Sequence, residues 1–186
     1  MAKTSNFISV NDKQKLAFEK LAKEFGYKNK MAAPRLVKIN VSVATGTAMK
    51  KDRKRNDLVI DRLTKITGQR PTVRKAKQAV ASFKTRIGDP IGVAVTLRGA
   101  RMLGFLDKVL NVSLPRTKDF RGINRTSVDN IGNMTFGIKE HTIFPEIKDE
   151  ELKDVFGMAI TLGTTAKTKE EAIKFFELIG IPFKKI

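Results

Sequence analysis

Two segments alternate apolar and polar residues with a period of two, and this pattern restricts the fold more than any other feature of the chain. After Pro34, Val37, Ile39, Val41 and Val43 alternate with Lys38, Asn40 and Ser42. Further on, Ile91, Val93, Val95 and Leu97 alternate again, with Thr96 and Arg98 on the opposite face. Successive side chains of a strand point to opposite faces, so each segment buries one face and wets the other. Met134 to Ile138 and Gly157 to Thr164 read as two more strands.

Helical spacing separates these strands. Asn11 with Gln14 resembles a capping pair ahead of Leu16, Phe18, Leu21, Ala22 and Phe25, and Gly26 closes that helix. A charge run, Lys50 to Arg55, opens a second helix carrying Leu58, Val59, Leu63 and Ile66 and ending at Gly68. A third runs from about Ala100 through Leu110, followed by an irregular stretch from Ser113 to Asn133. Thr168 with Glu171 caps a last helix holding Ala172, Ile173, Phe176 and Ile179, closed by Gly180 and Pro182. Helices and strands mix without strict βαβ regularity. The reading is α+β: one largely antiparallel sheet with helices packed on one face and a basic mobile hairpin loop. With 186 residues, 41% of them hydrophobic, the chain can bury a core as a single domain over 1–186, residues 1–10 forming a flexible tail.

The hairpin loop is the arm within residues 70–90. Between Arg70 and Arg86 stand six cations (Arg70, Arg74, Lys75, Lys77, Lys84 and Arg86) and no acid. Thr72, Val73, Val80 and Phe83 supply one face of it and the cations the other. A solvated face normally mixes signs, so an all-cationic arm points to a polyanion, whose condensed counterions are displaced on contact. The formal charge of the whole chain, +18, agrees. Phe83 stacks on a base or tucks the arm onto the body, and the sequence leaves both open.

Other chemistries find little support. Without cysteine there is no disulfide, thiolate metal site or cysteine nucleophile. The single histidine, His141, reads as a satisfied or solvated side chain. Asp57 and Asp61, one helical turn apart, could hold Mg²⁺ in a nucleic-acid-processing enzyme, but they read better as a solvated helix face interleaved with Arg55 and Arg62. Gly88-Asp89-Pro90-Ile91-Gly92 is a turn, not a phosphate loop. No run approaches the roughly 18 apolar residues of a membrane span, and Met1 to Val10 lacks the apolar core of a secretory signal. No membrane partner and no cofactor is expected. A non-specific RNA chaperone stays open as a further reading.

Several blocks carry a resemblance. Pro34-Arg35-Leu36, Gly68-Gln69-Arg70-Pro71, Val95-Thr96-Leu97-Arg98-Gly99, Leu114-Pro115-Arg116 and Asp119-Phe120-Arg121-Gly122 occur in order. Gly137-Ile138-Lys139-Glu140, Ile143-Phe144-Pro145-Glu146 and Thr164-Thr165-Ala166-Lys167-Thr168 follow. From about Lys13 to Lys184 the chain closely resembles the large-subunit ribosomal protein L5 family in its bacterial form. That resemblance implies a non-enzymatic, cytoplasmic ribosomal protein that binds 5S rRNA and helps form the central protuberance. It implies contact with large-subunit rRNA, neighbouring 5S-binding proteins, P-site tRNA and a small-subunit head protein.

By position, Gln69, Thr96 and Arg98 match the family's 5S rRNA-contacting motifs, with Lys38, Asn40, Ser42 and Arg70 joining the rRNA-binding set. Arg74, Lys75, Lys77, Ser82, Phe83, Lys84 and Arg86 match the loop that approaches tRNA. The region from Glu146 to Asp154 falls where the bridge to the small subunit is expected. Two departures stand out. Ser42 replaces the family's usual Asn, and Val128-Asp129-Asn130-Ile131-Gly132-Asn133-Met134 lacks the arginine commonly found in that block. The run at Lys50 to Arg55 is also longer than usual.

Overall fold

The structure, a computed structural model, describes residues 9–46, 55–118, 120–147 and 155–184. Helix α1 (Val10–Phe25) begins at Ser9, whose hydroxyl accepts from the Asp12 N–H, and ends at Gly26 with φ of 68°. Ser9, not Asn11, is the cap: its backbone is extended, whereas Asn11 already lies inside the helix. Gly26 closes the helix because the left-handed conformation suits a residue without a Cβ.

Strand β1 (Leu36–Ala44), helix α2 (Arg55–Thr67), strand β2 (Thr72–Lys75) and strand β3 (Pro90–Leu97) follow. Helix α3 (Gly99–Lys108), strand β4 (Met134–Ile138), strand β5 (Met158–Thr164) and helix α4 (Lys169–Ile179) complete the order. The five strands form one sheet in the order β2-β3-β1-β5-β4, and every pairing is antiparallel. Ile39, Val41 and Val43 of β1 lie level with Leu97, Val95 and Val93 of β3, so the inward apolar positions form continuous rows. These rows pack with Leu21, Val59, Leu63, Leu106, Phe175 and Phe176 from the four helices. Each such buried side chain contributes roughly 1.5–3 kcal/mol of hydrophobic stabilisation.

Two ends of the alternating runs depart from their pattern. Val37 is 42% exposed because β1 carries a bulge against β5, where Leu36 pairs with Thr164 and Lys38 with Gly163. Val37 is the extra residue, and Leu36 takes the buried place. Ile91 is 37% exposed because it lies at the arm end of β3 and faces the hollow beside the arm.

The stretch from Ser113 starts as helix. Beyond α3 a π turn spans Val109–Ser113 and a further helical turn spans Leu114–Arg116. Pro115 has no N–H and its ring collides with the carbonyl four residues back in a regular α-helix; the wider turn ahead of it opens that space. Lys108 joins α3 to α2: its Nζ donates to the Ile66 carbonyl at 2.5 Å and to Glu146 Oε1 at 2.6 Å. A cation on the last carbonyls of α2 is favoured by the helix dipole.

Arg62 is not on the solvated face. It is 5% exposed, with Nη1 3.0 Å from Nε2 of the fully buried His141. The His141 ring stacks on Phe156 at 4.1 Å between centroids and accepts the Phe156 N–H at Nδ1. This group is buried structure, away from solvent. Asp57 and Asp61 do lie exposed, Asp61 pairing with Lys65 at 3.0 Å. The tail up to Ile8, residues 50–54 of the charge run, and residues 148–154 of the acidic segment lie outside the described residues.

Candidate nucleic-acid interface

Among the described residues the helices pack against one face of the sheet and leave the other uncovered. Strand register places its residues in rows. One row runs Thr96, Asn40, Thr161, Thr135 across β3, β1, β5 and β4. The next runs Thr72, Ala94, Ser42, Ala159, Gly137 across all five strands. Beyond it, Arg74 lies beside Gly92 and Ala44. The face is therefore paved with small residues and short polar groups. Gly92 cannot be larger, because a Cβ there would stand 2.9 Å from the Val43 carbonyl oxygen.

The polar groups are held in a fixed arrangement. Gln69, just past the left-handed Gly68 that ends α2, donates from Nε2 to the Thr96 carbonyl at 3.3 Å. The Thr96 hydroxyl donates to Asn40 Oδ1 at 3.2 Å, and the Thr135 hydroxyl to the Thr161 hydroxyl at 3.1 Å. With its oxygen occupied, Asn40 presents its amide N–H₂ as a donor without a partner among the described residues. Ser42 sits half-buried between Ala94 and Ala159, its hydroxyl without a partner among the described residues.

Cations edge this face. Lys38 follows the bulge, and its stem lies over Gly163: a Cβ at that glycine would meet Lys38 Cγ at 3.2 Å. Arg98, extended at the N-cap of α3 with φ of −140°, is exposed and has no partner among the described residues. Arg70 is likewise exposed between α2 and β2. The sequence named Lys38, Asn40, Ser42, Gln69, Thr96 and Arg98 one by one; register brings Asn40, Thr96 and Gln69 into one hydrogen-bonded line. The sequence assigns Thr72 to one face of the arm and leaves Thr135 and Thr161 unremarked, although the alternation of Ala159, Thr161 and Gly163 with Met158, Ile160 and Leu162 carries the signal for Thr161.

The arm lies at the β2 edge of the same sheet. Only Thr72–Lys75 is paired strand; Thr72 and Val73, being consecutive, point to opposite faces instead of sharing one. Beyond it the Ala76 and Gly88 N–H groups bond across the base of the arm to the Asp89 and Ala76 carbonyls. A tighter loop is closed by Val80 and Thr85 around a single 3₁₀ turn, Ala81–Phe83. Arg74, Lys75, Lys77, Lys84 and Arg86 are all exposed, and none makes an ion pair among the described residues. Asp89 accepts the Arg86 backbone N–H at 2.7 Å, so its carboxylate braces the turn. Ser82 is exposed beside Phe83, which is 69% exposed and with Val80 and Ile91 lines a hollow of about 880 Å³.

In the Asp129–Asn133 turn, Asp129 accepts the Ile131 and Asn133 N–H groups at 3.1 and 2.6 Å. Ile131, at the place of the absent arginine, is 67% exposed at its tip. Among the described residues no group of His, Asp or Glu could hold a metal ion, and no helix is long and apolar enough to cross a membrane.

A polar face left uncovered by the described residues, with cations at its rim that have no carboxylate partner among them, on a chain of charge +18, defines a class: a basic α+β scaffold suited to polyanions. Comparison with known proteins narrows it. Residues 29–86 match the ribosomal protein L5 model, and residues 90–183 match the model for the C-terminus of the same ribosomal family. The chain is 51% identical to large ribosomal subunit protein uL5 of Mesoplasma florum, over 89% of this chain and 91% of that one. It is 49% identical to the protein so named in Desulforamulus reducens, over 89% and 91%, and 44% identical to that of Kosmotoga olearia, over 98% and 100%. The chain belongs to the ribosomal protein L5 family, whose members are structural proteins of the large ribosomal subunit and not enzymes.

Proposed function

We propose that the protein holds 5S rRNA against the bare face of its sheet and thereby helps build the central protuberance of the large subunit. The single observation that carries this reading is the line Gln69–Thr96–Asn40, a preset row of donors and acceptors on an uncovered face. Short polar groups on a flat sheet can meet sugar hydroxyls and base edges in the wide, shallow minor groove of RNA, where no helix need enter. Lys38, Arg70 and Arg98 at the rim supply charge for phosphates, and Ser42 adds a hydroxyl to the next row. The Asn40 amide takes over the donor that the family usually places at residue 42.

The arm has a separate role. Its cations follow the backbone of P-site tRNA without reading sequence, because phosphate contacts position a partner and do not specify it. Large-subunit rRNA and neighbouring 5S-binding proteins complete the setting of the protein in the cytoplasmic ribosome. The acidic segment from Glu146 to Asp154 meets a basic small-subunit head protein in an intersubunit bridge.

Titration of the protein against labelled 5S rRNA, with tRNA and an unrelated duplex as competitors at two salt concentrations, tests the central claim. Preference for 5S rRNA that persists at the higher salt is the expected outcome. Equal binding to all three, lost together as salt rises, would leave only phosphate attraction and a non-specific chaperone.

A further inference from the structure

A second basic site lies at the opposite edge of the sheet from the arm. Strand β4 is an edge strand: β5 pairs along one side, and on the other only Met134, at its start, meets Val128 in a single antiparallel bridge. On its other side, from Thr135 to Ile138, no hydrogen bond among the described residues joins its backbone to the segment alongside. A cleft of about 540 Å³ runs along that edge, lined by consecutive residues from Thr135 to Lys139 and, facing them, by Thr117, Lys118 and residues 120–124. A second hollow of about 370 Å³ continues it past Lys139 to Thr142 and Ile143. Leu114, Phe120, Phe136, Ile138 and Ile143 give these hollows apolar surface.

The charges around them are one-sided. Arg116, Lys118, Arg121, Lys139 and Lys184 line the two hollows, and none is paired with a carboxylate among the described residues. Elsewhere described cations do find partners, as in Lys108–Glu146, Arg125–Glu177 and Lys174–Glu24. Glu140 is the one carboxylate among the described lining residues, and it accepts from the Thr142 hydroxyl. An unpaired strand edge is a template for another extended backbone, and native proteins normally blunt or cover it.

We propose that this cleft docks an acidic, extended segment of a partner protein. The segment adds to the free edge of β4, its apolar side chains enter the hollows and its carboxylates meet Lys118, Lys139 and Arg121. The free strand edge decides between partners of like charge. RNA has no extended peptide backbone to offer it, whereas a peptide supplies the missing donors and acceptors at alternate residues.

The probe is a fluorescent peptide of about ten residues, long enough to overhang β4, alternating glutamate with valine. It is titrated against the full-length protein. A control peptide of equal charge carries proline at alternate positions and cannot donate to a strand edge. The alternating peptide is expected to bind, the proline peptide to bind about tenfold more weakly or worse, and the double change Lys118→Glu with Lys139→Glu to weaken binding by a similar factor. Amide shifts confined to residues 135–139 and the facing loop locate the site. Equal binding of both peptides, or no loss in the charge-reversed protein, overturns the proposal. So does loss of affinity for a single-stranded RNA in that variant with the peptide unaffected. Because the variant leaves Thr96 and Arg98 untouched, its 5S rRNA affinity reports on the sheet face separately.

Discussion

Arg98 sits two residues past Thr96 at the end of the third strand, exposed and bound to nothing else among the described residues. Its removal is therefore expected to leave folding intact while taking a charge from the rim of the uncovered sheet face, the proposed RNA site. Arg98→Ala is expected to leave Tm unchanged and to weaken 5S rRNA binding by roughly 1.5–3 kcal/mol, the range of a hydrogen bond to a charged group. Filter binding beside a thermal melt checks both halves, and unchanged affinity removes Arg98 from the site. At this scale the sequence was informative about residue identity and silent about coupling. Asn40, Thr96 and Gln69 are visible as polar residues beside an apolar stripe. That Gln69 fastens the Thr96 carbonyl depends on where α2 ends relative to a strand 27 residues later in the chain. Arg62 shows the converse: its charge pattern reads as surface, yet it lies buried against His141, which in turn stacks on Phe156.

Elements were legible where a local signal suffices. Alternation gives the first and third strands, and glycines 26, 68 and 180 mark helix ends because each holds positive φ. The bulge at Val37 was not legible, since it arises from the offset between β1 and β5 and not from β1 itself. The arm was half legible. Its cations are exposed as the sequence indicates, and its tip is a turn closed by Val80 and Thr85, with Phe83 lining the hollow it shares with Ile91. Its backbone bonds are few and face water, whereas β3 is paired on both sides. Amides from Lys77 to Arg86 are therefore expected to exchange at least about 100-fold faster than those from Val93 to Leu97 in the free protein, and to slow on binding RNA. Hydrogen exchange followed by mass spectrometry reads this; protection in the free arm equal to that of β3 would make it a rigid spur.

For the whole molecule the decisive feature is strand order. The segment matched by the N-terminal family model supplies β1 and β2, yet β1 lies at the centre of the sheet between β3 and β5, both from the C-terminal segment. Neither segment holds a complete apolar layer, so the chain is expected to fold as one unit. A fragment ending at Asp89 should show no cooperative thermal transition by circular dichroism, while the full chain melts in a single step. A sigmoidal melt of the fragment would mean two domains. The same order has a consequence for the protein's birth. About 110 residues separate the end of β1 from the start of β5, so at 5–20 residues per second the central strand waits roughly 6–22 s for its second neighbour. Throughout that wait the growing chain carries an unfilled apolar row and an unpaired central edge, so synthesis itself is the interval in which this topology is most open to misassembly.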